Sequence, residues 1–149
     1  MVDFKQKEKY DINDLLEIMR LLRAPGGCPW DAQQTHMSIR KNLIEETYEV
    51  IEAIDKDDKE LMTEELGDLL MQVVFHAQME QEAGNFDFGD VTDGVCKKLI
   101  ERHPHVFGGA SADDASAVLG LWEQVKLAEK EAADDAADAA GGAREGLLD

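Results

Sequence analysis

The sequence predicts an all-α fold, and three observations carry that prediction. Apolar residues recur every three to four positions in one segment after another. Nowhere does the two-residue alternation of a half-buried strand replace that spacing. Glycine and proline fall where helices must stop, at Pro25-Gly26-Gly27, Gly84-Asn85 and Pro104.

Five helical segments follow from these signals. The first carries Ile12, Leu15, Leu16, Met19 and Leu22 on one stripe and ends at Pro25-Gly26-Gly27. A loop with Cys28-Pro29-Trp30-Asp31 leads to the second, about Ser38 to Asp55, with Ile39, Leu43, Val50 and Ile54 aligned. The polar turn Asp55-Lys56-Asp57-Asp58 separates it from the third, Lys59 to Ala83, where Met71, Phe75 and Met79 read as core. Asp90 is the expected N-cap of the fourth, which Pro104 terminates. Gly108 and Gly109 open a loop, and the fifth helix runs from Ala115 into the 130s. Residues 1–130 read as one domain and 131–149 as an acidic, Ala/Gly-rich tail or linker without an apolar stripe.

Composition narrows the function. The 149-residue chain carries a net charge of −18, and acids outnumber bases both before and after residue 110. Such a surface repels nucleic acid and anionic lipid, because binding either needs Lys and Arg. It equally repels a nucleotide, so an anionic substrate requires cations to mediate the contact. Cys28 and Cys96 form no CxxC and read as reduced thiols. The N-terminus has no apolar signal-peptide core, and no uncharged apolar run is long enough to span a bilayer. A cytoplasmic protein is expected.

The chemistry lies in two acidic motifs, Glu45-Glu46-x-x-Glu49 and Glu64-Glu65-x-x-Asp68. Glu46 falls within the stripe Ile39, Leu43, Val50, Ile54, and Glu65 is four residues from both Leu61 and Leu69. A carboxylate in an apolar stripe is costly unless paired or metal-bound. Glu46/Glu49 and Glu65/Asp68 are i,i+3 pairs, so each pair projects from one side of its helix. In an antiparallel hairpin, 46 faces 68 and 49 faces 65 about a common midpoint at residue 57, inside the polar turn. Four carboxylates then meet at one level, about 16 Å from the turn at 1.5 Å per residue. Gathering four like charges demands a cation, and oxygen ligands select Mg²⁺ or Mn²⁺. A di-iron bundle would want Glu-x-x-His pairs, and the sequence has none.

At these residues the chain resembles the MazG-type pyrophosphohydrolases, marked by EExxE followed by ExxD. Here these are Glu45-Glu46-Thr47-Tyr48-Glu49 and Glu65-Leu66-Gly67-Asp68. Flanking blocks agree: Pro25-Gly26-Gly27-Cys28-Pro29-Trp30-Asp31, Gln34-Thr35-His36, and Glu101-Arg102-His103-Pro104-His105-Val106-Phe107-Gly108. The likeness extends from about Ile12 to Lys126. It implies helix hairpins that assemble a four-helix bundle, completed in a homodimer. It also implies Mg²⁺-dependent cleavage of nucleoside triphosphates between the α and β phosphates, giving a monophosphate and pyrophosphate. By the motif, Glu46, Glu49, Glu65 and Asp68 would be Mg²⁺ ligands, with Mn²⁺ a possible substitute. Glu45 would support them or act as base for the attacking water. Lys98 and Arg102 would hold phosphates, and Trp122 with Lys126 would stack the base and contact the triphosphate. His36, His103 and His105 show no ligand spacing and read as structural.

The chain carries one copy of a domain that many members carry twice. It resembles the first copy, and Arg144-Glu145-Gly146-Leu147-Leu148-Asp149 resembles a linker towards a second. Two rival functions therefore fit the same residues. One is a narrow-specificity dUTP, dCTP or phosphoribosyl-ATP pyrophosphohydrolase. The other is a catalytically weak dimerisation and scaffolding domain of a longer, two-copy protein.

Overall fold

A computed structural model of the protein describes residues 1–139, and every regular element among them is helical. Helix α1 (Ile12–Arg23) begins on a reciprocal cap. The Asp11 carboxylate accepts the Asp14 N–H at 3.1 Å, and the Asp14 carboxylate accepts the Asp11 N–H at 2.8 Å. After α1 the chain folds back tightly over the helix's last turn. Gly26 sits at φ 87°, and a Cβ on Gly27 would lie 2.1 Å from the Leu21 carbonyl oxygen, so glycine is required at both.

The segment expected to be a loop contains a short helix, α2 (Pro29–Gln33). Proline at a first helical position forfeits no hydrogen bond, which is why Pro29 can open it. Helix α3 (His36–Asp55) starts two residues earlier than expected, because Thr35 and Ser38 cap each other reciprocally. Helix α4 (Lys59–Ala83) runs between the bounds its sequence sets, from an Asp58 cap to Gly84 in the left-handed conformation at φ 79°. In α5 (Phe88–Arg102) the N-terminal carboxylate is Asp87 rather than Asp90. Asp87 accepts from the Asp90 N–H, and Asp90 accepts in return from the Asp87 N–H.

Pro104 does more than end α5, for it opens the short helix α6 (Pro104–Phe107). Helix α7 (Ala115–Ala139) passes residue 130 without a break. The remainder of the expected tail, including Arg144–Asp149, lies outside the described residues. No helix among the described residues is long and apolar enough to cross a membrane.

The chain divides into two units, Met1–Val91 and Thr92 onwards. In the first, α3 and α4 pack as a hairpin, α1 lies against α4, and α2 lies against α1. Met19, Ile39, Val74, Phe75 and Met79 form the core, with Leu15, Leu16 and Phe88 packed on it. Two residues expected inside are outside: Ile54 is 53% exposed and Met71 38%. Ile54 lies in the last turn of α3, beside the hairpin turn, and Met71 shares the α4 stripe of Phe75 but is not covered as Phe75 is.

Arg23 ties this unit together. Its guanidinium donates to both Glu82 oxygens at 2.9 and 3.0 Å, and to the Asp31 and Gln34 carbonyls at 2.6 and 3.1 Å. It also lies 5.5 Å over the Phe75 ring. One side chain thus fixes the α1 C-terminus, the α2 segment and the end of α4.

Candidate metal and nucleotide site

The α3–α4 hairpin turns at Lys56–Asp58, with Asp57 at φ 51°. That register brings Glu46 of α3 to Glu65 and Asp68 of α4. One carboxylate oxygen from each lies within 4.8 Å of the others. Glu65 is buried and the other two half-buried. Burial pushes the Glu46 carboxyl above the usual glutamate range, and the charges of Asp68, Glu49 and Glu45 push it further. Glu65 is raised likewise, by burial first and then by Glu49, Asp68, Glu46 and Glu64.

No ion pair among the described residues reaches Glu46, Glu65 or Asp68. The cluster is therefore short of positive charge, and its donor set is hard oxygen alone. Those are the properties of a site that could hold a metal ion, in particular a hard divalent one. Glu49 is exposed and its oxygen stands outside the trio, though its charge bears on both raised carboxyls. Glu45 is exposed as well, beside Glu46.

The basic and aromatic candidates lie in the second unit. Arg102, Trp122 and Lys126 line one cavity of about 170 Å³ together with Leu99 and His103. Lys98 is exposed and is not part of that lining. Arg102 Nη2 donates to Glu129 Oε1 at 3.1 Å, which holds the Glu129 carboxyl below its usual range. Arg102 Nε and the Trp122 indole N–H are buried without a hydrogen-bond partner. His103 meets Trp122 edge-on with ring centres 5.1 Å apart, and its Nδ1 lies 2.6 Å from the Leu99 carbonyl oxygen. Trp122 is half-buried, so it serves packing and cavity at once.

Some of what matters left little trace in the sequence. His36 Nδ1 lies 2.6 Å from His76 Nδ1 with the rings parallel, and His36 Nε2 contacts Glu80. Burial, with His36 second, lowers the His76 imidazole pKa. Nothing in the spacing of residues 36, 76 and 80 predicts this. Gln72 is a different case: a polar residue in the buried stripe of Glu65, Phe75 and Met79 is a visible anomaly.

The first unit also presents apolar surface. Ile44, Tyr48 and Ile51 of α3 are exposed and line a groove with Leu43 and Thr47, while Leu66, Leu70 and Val73 are exposed on α4. Val74 and Ala77, which periodicity would add to that face, are instead buried within the chain, where α1 covers α4.

The chain is similar to known proteins in both sequence and fold. Residues 34–107 match the model of the MazG nucleotide pyrophosphohydrolase domain. The chain is 52% identical over 120 residues to the nucleoside triphosphate pyrophosphohydrolase of Escherichia coli K12, covering 80% of this chain and 46% of that protein. It is 51% identical over 117 residues to the nucleoside triphosphate pyrophosphohydrolase/pyrophosphatase MazG of Thermotoga maritima, covering 78% and 44%. The chain thus spans under half the length of these curated relatives. A crystal structure of a mazG-related protein from Thermotoga maritima superposes with a TM-score of 0.65 at 27% identity, over 78% of this chain and 99% of that one.

Proposed function

The chain belongs to the MazG nucleotide pyrophosphohydrolase family, and from that premise we propose that it hydrolyses nucleoside triphosphates to monophosphates and pyrophosphate in the cytoplasm, with Mg²⁺ as cofactor. The observation that carries this reading is the uncompensated trio Glu46, Glu65 and Asp68, whose oxygens lie within 4.8 Å of one another. These three, with Glu49, are the residues suited to hold the ion. When bound, Mg²⁺ supplies positive charge to the phosphate oxygens and acidifies water.

The chain's own residues perform the rest. Glu45, exposed beside the trio, takes the proton of the attacking water. The new O–P bond forms at the α-phosphorus as the bond to the bridging oxygen breaks, and pyrophosphate leaves. In the second unit, Arg102, Lys126 and Lys98 are the residues assigned to the phosphates and Trp122 the one assigned to the base, Arg102, Lys126 and Trp122 lining one cavity. Residues 1–130 act as the working domain and 131–149 as tail or linker. Two copies pair through the apolar α3–α4 face and complete a four-helix bundle, since a patch of this kind is seldom left open to water.

Turnover of a nucleotide panel against Mg²⁺ concentration tests the reading. Glu49→Gln and Asp68→Asn should abolish Mg²⁺-dependent turnover while circular dichroism stays that of the parent. Full activity in both variants would refute the metal-site assignment.

A further inference from the structure

Arg102 and Glu129 form an incomplete ion pair. Arg102 Nη2 donates to Glu129 Oε1 at 3.1 Å. Arg102 Nε and Glu129 Oε2 are both buried, and neither has a hydrogen-bond partner. A guanidinium edge set squarely on a carboxylate makes two parallel bonds. This pair makes one, so it opens more easily than a bidentate pair.

The same carboxylate serves more than one of the cations assigned to the phosphates. The Arg102 hydrogen bond is the largest of the influences that hold the Glu129 carboxyl below its usual range, and the charge of Lys98 is another. Lys126 precedes Glu129 by three residues on α7, so the two project from one side of that helix. Arg102 and Lys126 line the cavity of about 170 Å³ with Trp122, while Glu129 is not part of that lining. The cavity is thus left open while its guanidinium is already neutralised. The Arg102 and Glu129 side chains are 27% and 25% exposed, so a carboxylate released from the pair has water beside it.

These charges set up an exchange. A phosphate oxygen that takes the Arg102 N–H groups replaces the carboxylate, and one anion leaves the guanidinium as another arrives. The reverse holds when the ligand departs. An Arg102 without a counter-anion would bind phosphates more tightly and release them more slowly.

We propose that Glu129 is the counter-anion of the phosphate subsite: it occupies Arg102 in the free chain, gives way to a ligand phosphate on binding, and returns to displace it. This rests on the phosphate role proposed above for Arg102. Glu129 acts through Arg102 and touches no reacting atom, so it is a positioning residue and its effect falls on KM rather than kcat.

The test uses steady-state kinetics of the full chain on a nucleoside triphosphate with Mg²⁺, and inhibition by the product pyrophosphate. Glu129→Gln keeps the shape and one oxygen acceptor but removes the charge, and Glu129→Ala removes both. Each should lower KM and the pyrophosphate inhibition constant about two- to fivefold, the worth of one partly exposed ion pair, with no gain in kcat. In an Arg102→Ala background, Glu129→Gln should change KM by less than about 1.5-fold, because the contest for the guanidinium is gone. Glu131→Gln, exposed on the same helix, removes an equal charge and should leave KM unchanged. A KM unchanged or raised in both Glu129 variants would overturn the inference and make the pair a structural tie between α5 and α7. An equal fall in Glu131→Gln, or a fall that persists without Arg102, would overturn it as well. Arg102→Ala with unaltered KM would overturn the phosphate role itself and this inference with it, and a parent chain that turns over no nucleotide would overturn the proposed function first.

Discussion

Replacing Arg23 with methionine isolates what its guanidinium contributes, since methionine keeps a flexible apolar stem. Four hydrogen bonds disappear, two to Glu82 and two to the Asp31 and Gln34 carbonyls. The Arg23 side chain is 8% exposed but that of Glu82 is 40% exposed. Glu82 therefore regains water when its partner goes, and the full 3–5 kcal/mol of a broken buried pair does not apply. The ion pair contributes nearer the ~1 kcal/mol of a surface pair. The two carbonyl bonds are only part-buried, at the C-terminal end of α1, and are worth roughly 1–2 kcal/mol each, the low end for bonds from a charged donor. A destabilisation of about 3–5 kcal/mol follows, against a domain stability of about 5–15 kcal/mol. In urea denaturation, with m near about 1.5–2 kcal/mol/M, the midpoint should fall by about 1.5–3 M.

The pH dependence supplies a second check. The Arg23 hydrogen bonds hold the Glu82 carboxyl below its usual range. A depressed folded-state pKa gives stability that is complete above the unfolded value and is lost as pH falls towards the folded one. The parent should therefore lose more stability than Arg23→Met on acidification below the ordinary carboxylate range, and the gap between them should narrow. A midpoint shift under about 0.5 M, or a gap independent of pH, would refute the view of Arg23 as the tie between α1, α2 and α4.

Three further outcomes are expected. Glu46 and Glu65 have raised carboxyl pKa values, so their ionisation costs stability increasingly as pH rises from the ordinary glutamate range through the raised one. Without metal, Glu65→Gln should melt at or above the parent temperature in that range. It should also lose the stabilisation of about 2.7 kcal/mol that a ligand at a hundred times its Kd confers; calorimetry with and without Mg²⁺ reads both. Light scattering should give a dimer mass for the parent and a monomer mass for Tyr48→Asp combined with Ile44→Lys, both on the exposed α3 face. Arg102→Ala should raise KM roughly ten- to a hundredfold, the equivalent of one charge-assisted hydrogen bond, with a smaller loss in kcat; an unaltered KM would place Arg102 outside the site.

The hairpin was legible because its constraints are local and periodic. Asp58 and Gly84 bound α4, and the 46/68 register follows from helix geometry once the polar turn is located. The carboxylate trio comes from that register alone. Glu49 shares it, yet it stands exposed outside the trio. The helices at Pro29 and Pro104 were readable in principle, because proline opens a helix as readily as it ends one. The Asp87–Asp90 cap turns on which of two aspartates lies outside the helix, which only the backbone decides. His36 and His76, forty positions apart, and Arg23 with Glu82 are tertiary pairs with no local signature.

The central claim, a metal-dependent attack of water at the α-phosphorus by the α3–α4 carboxylates, is tested most directly by hydrolysing a nucleoside triphosphate in ¹⁸O-enriched water. Phosphorus NMR of the products locates the label. The predicted result is ¹⁸O in the nucleoside monophosphate, unlabelled pyrophosphate, dependence on Mg²⁺, and abolition by Asp68→Asn. Label in pyrophosphate, release of orthophosphate in its place, or equal turnover in the presence of a chelator would contradict it.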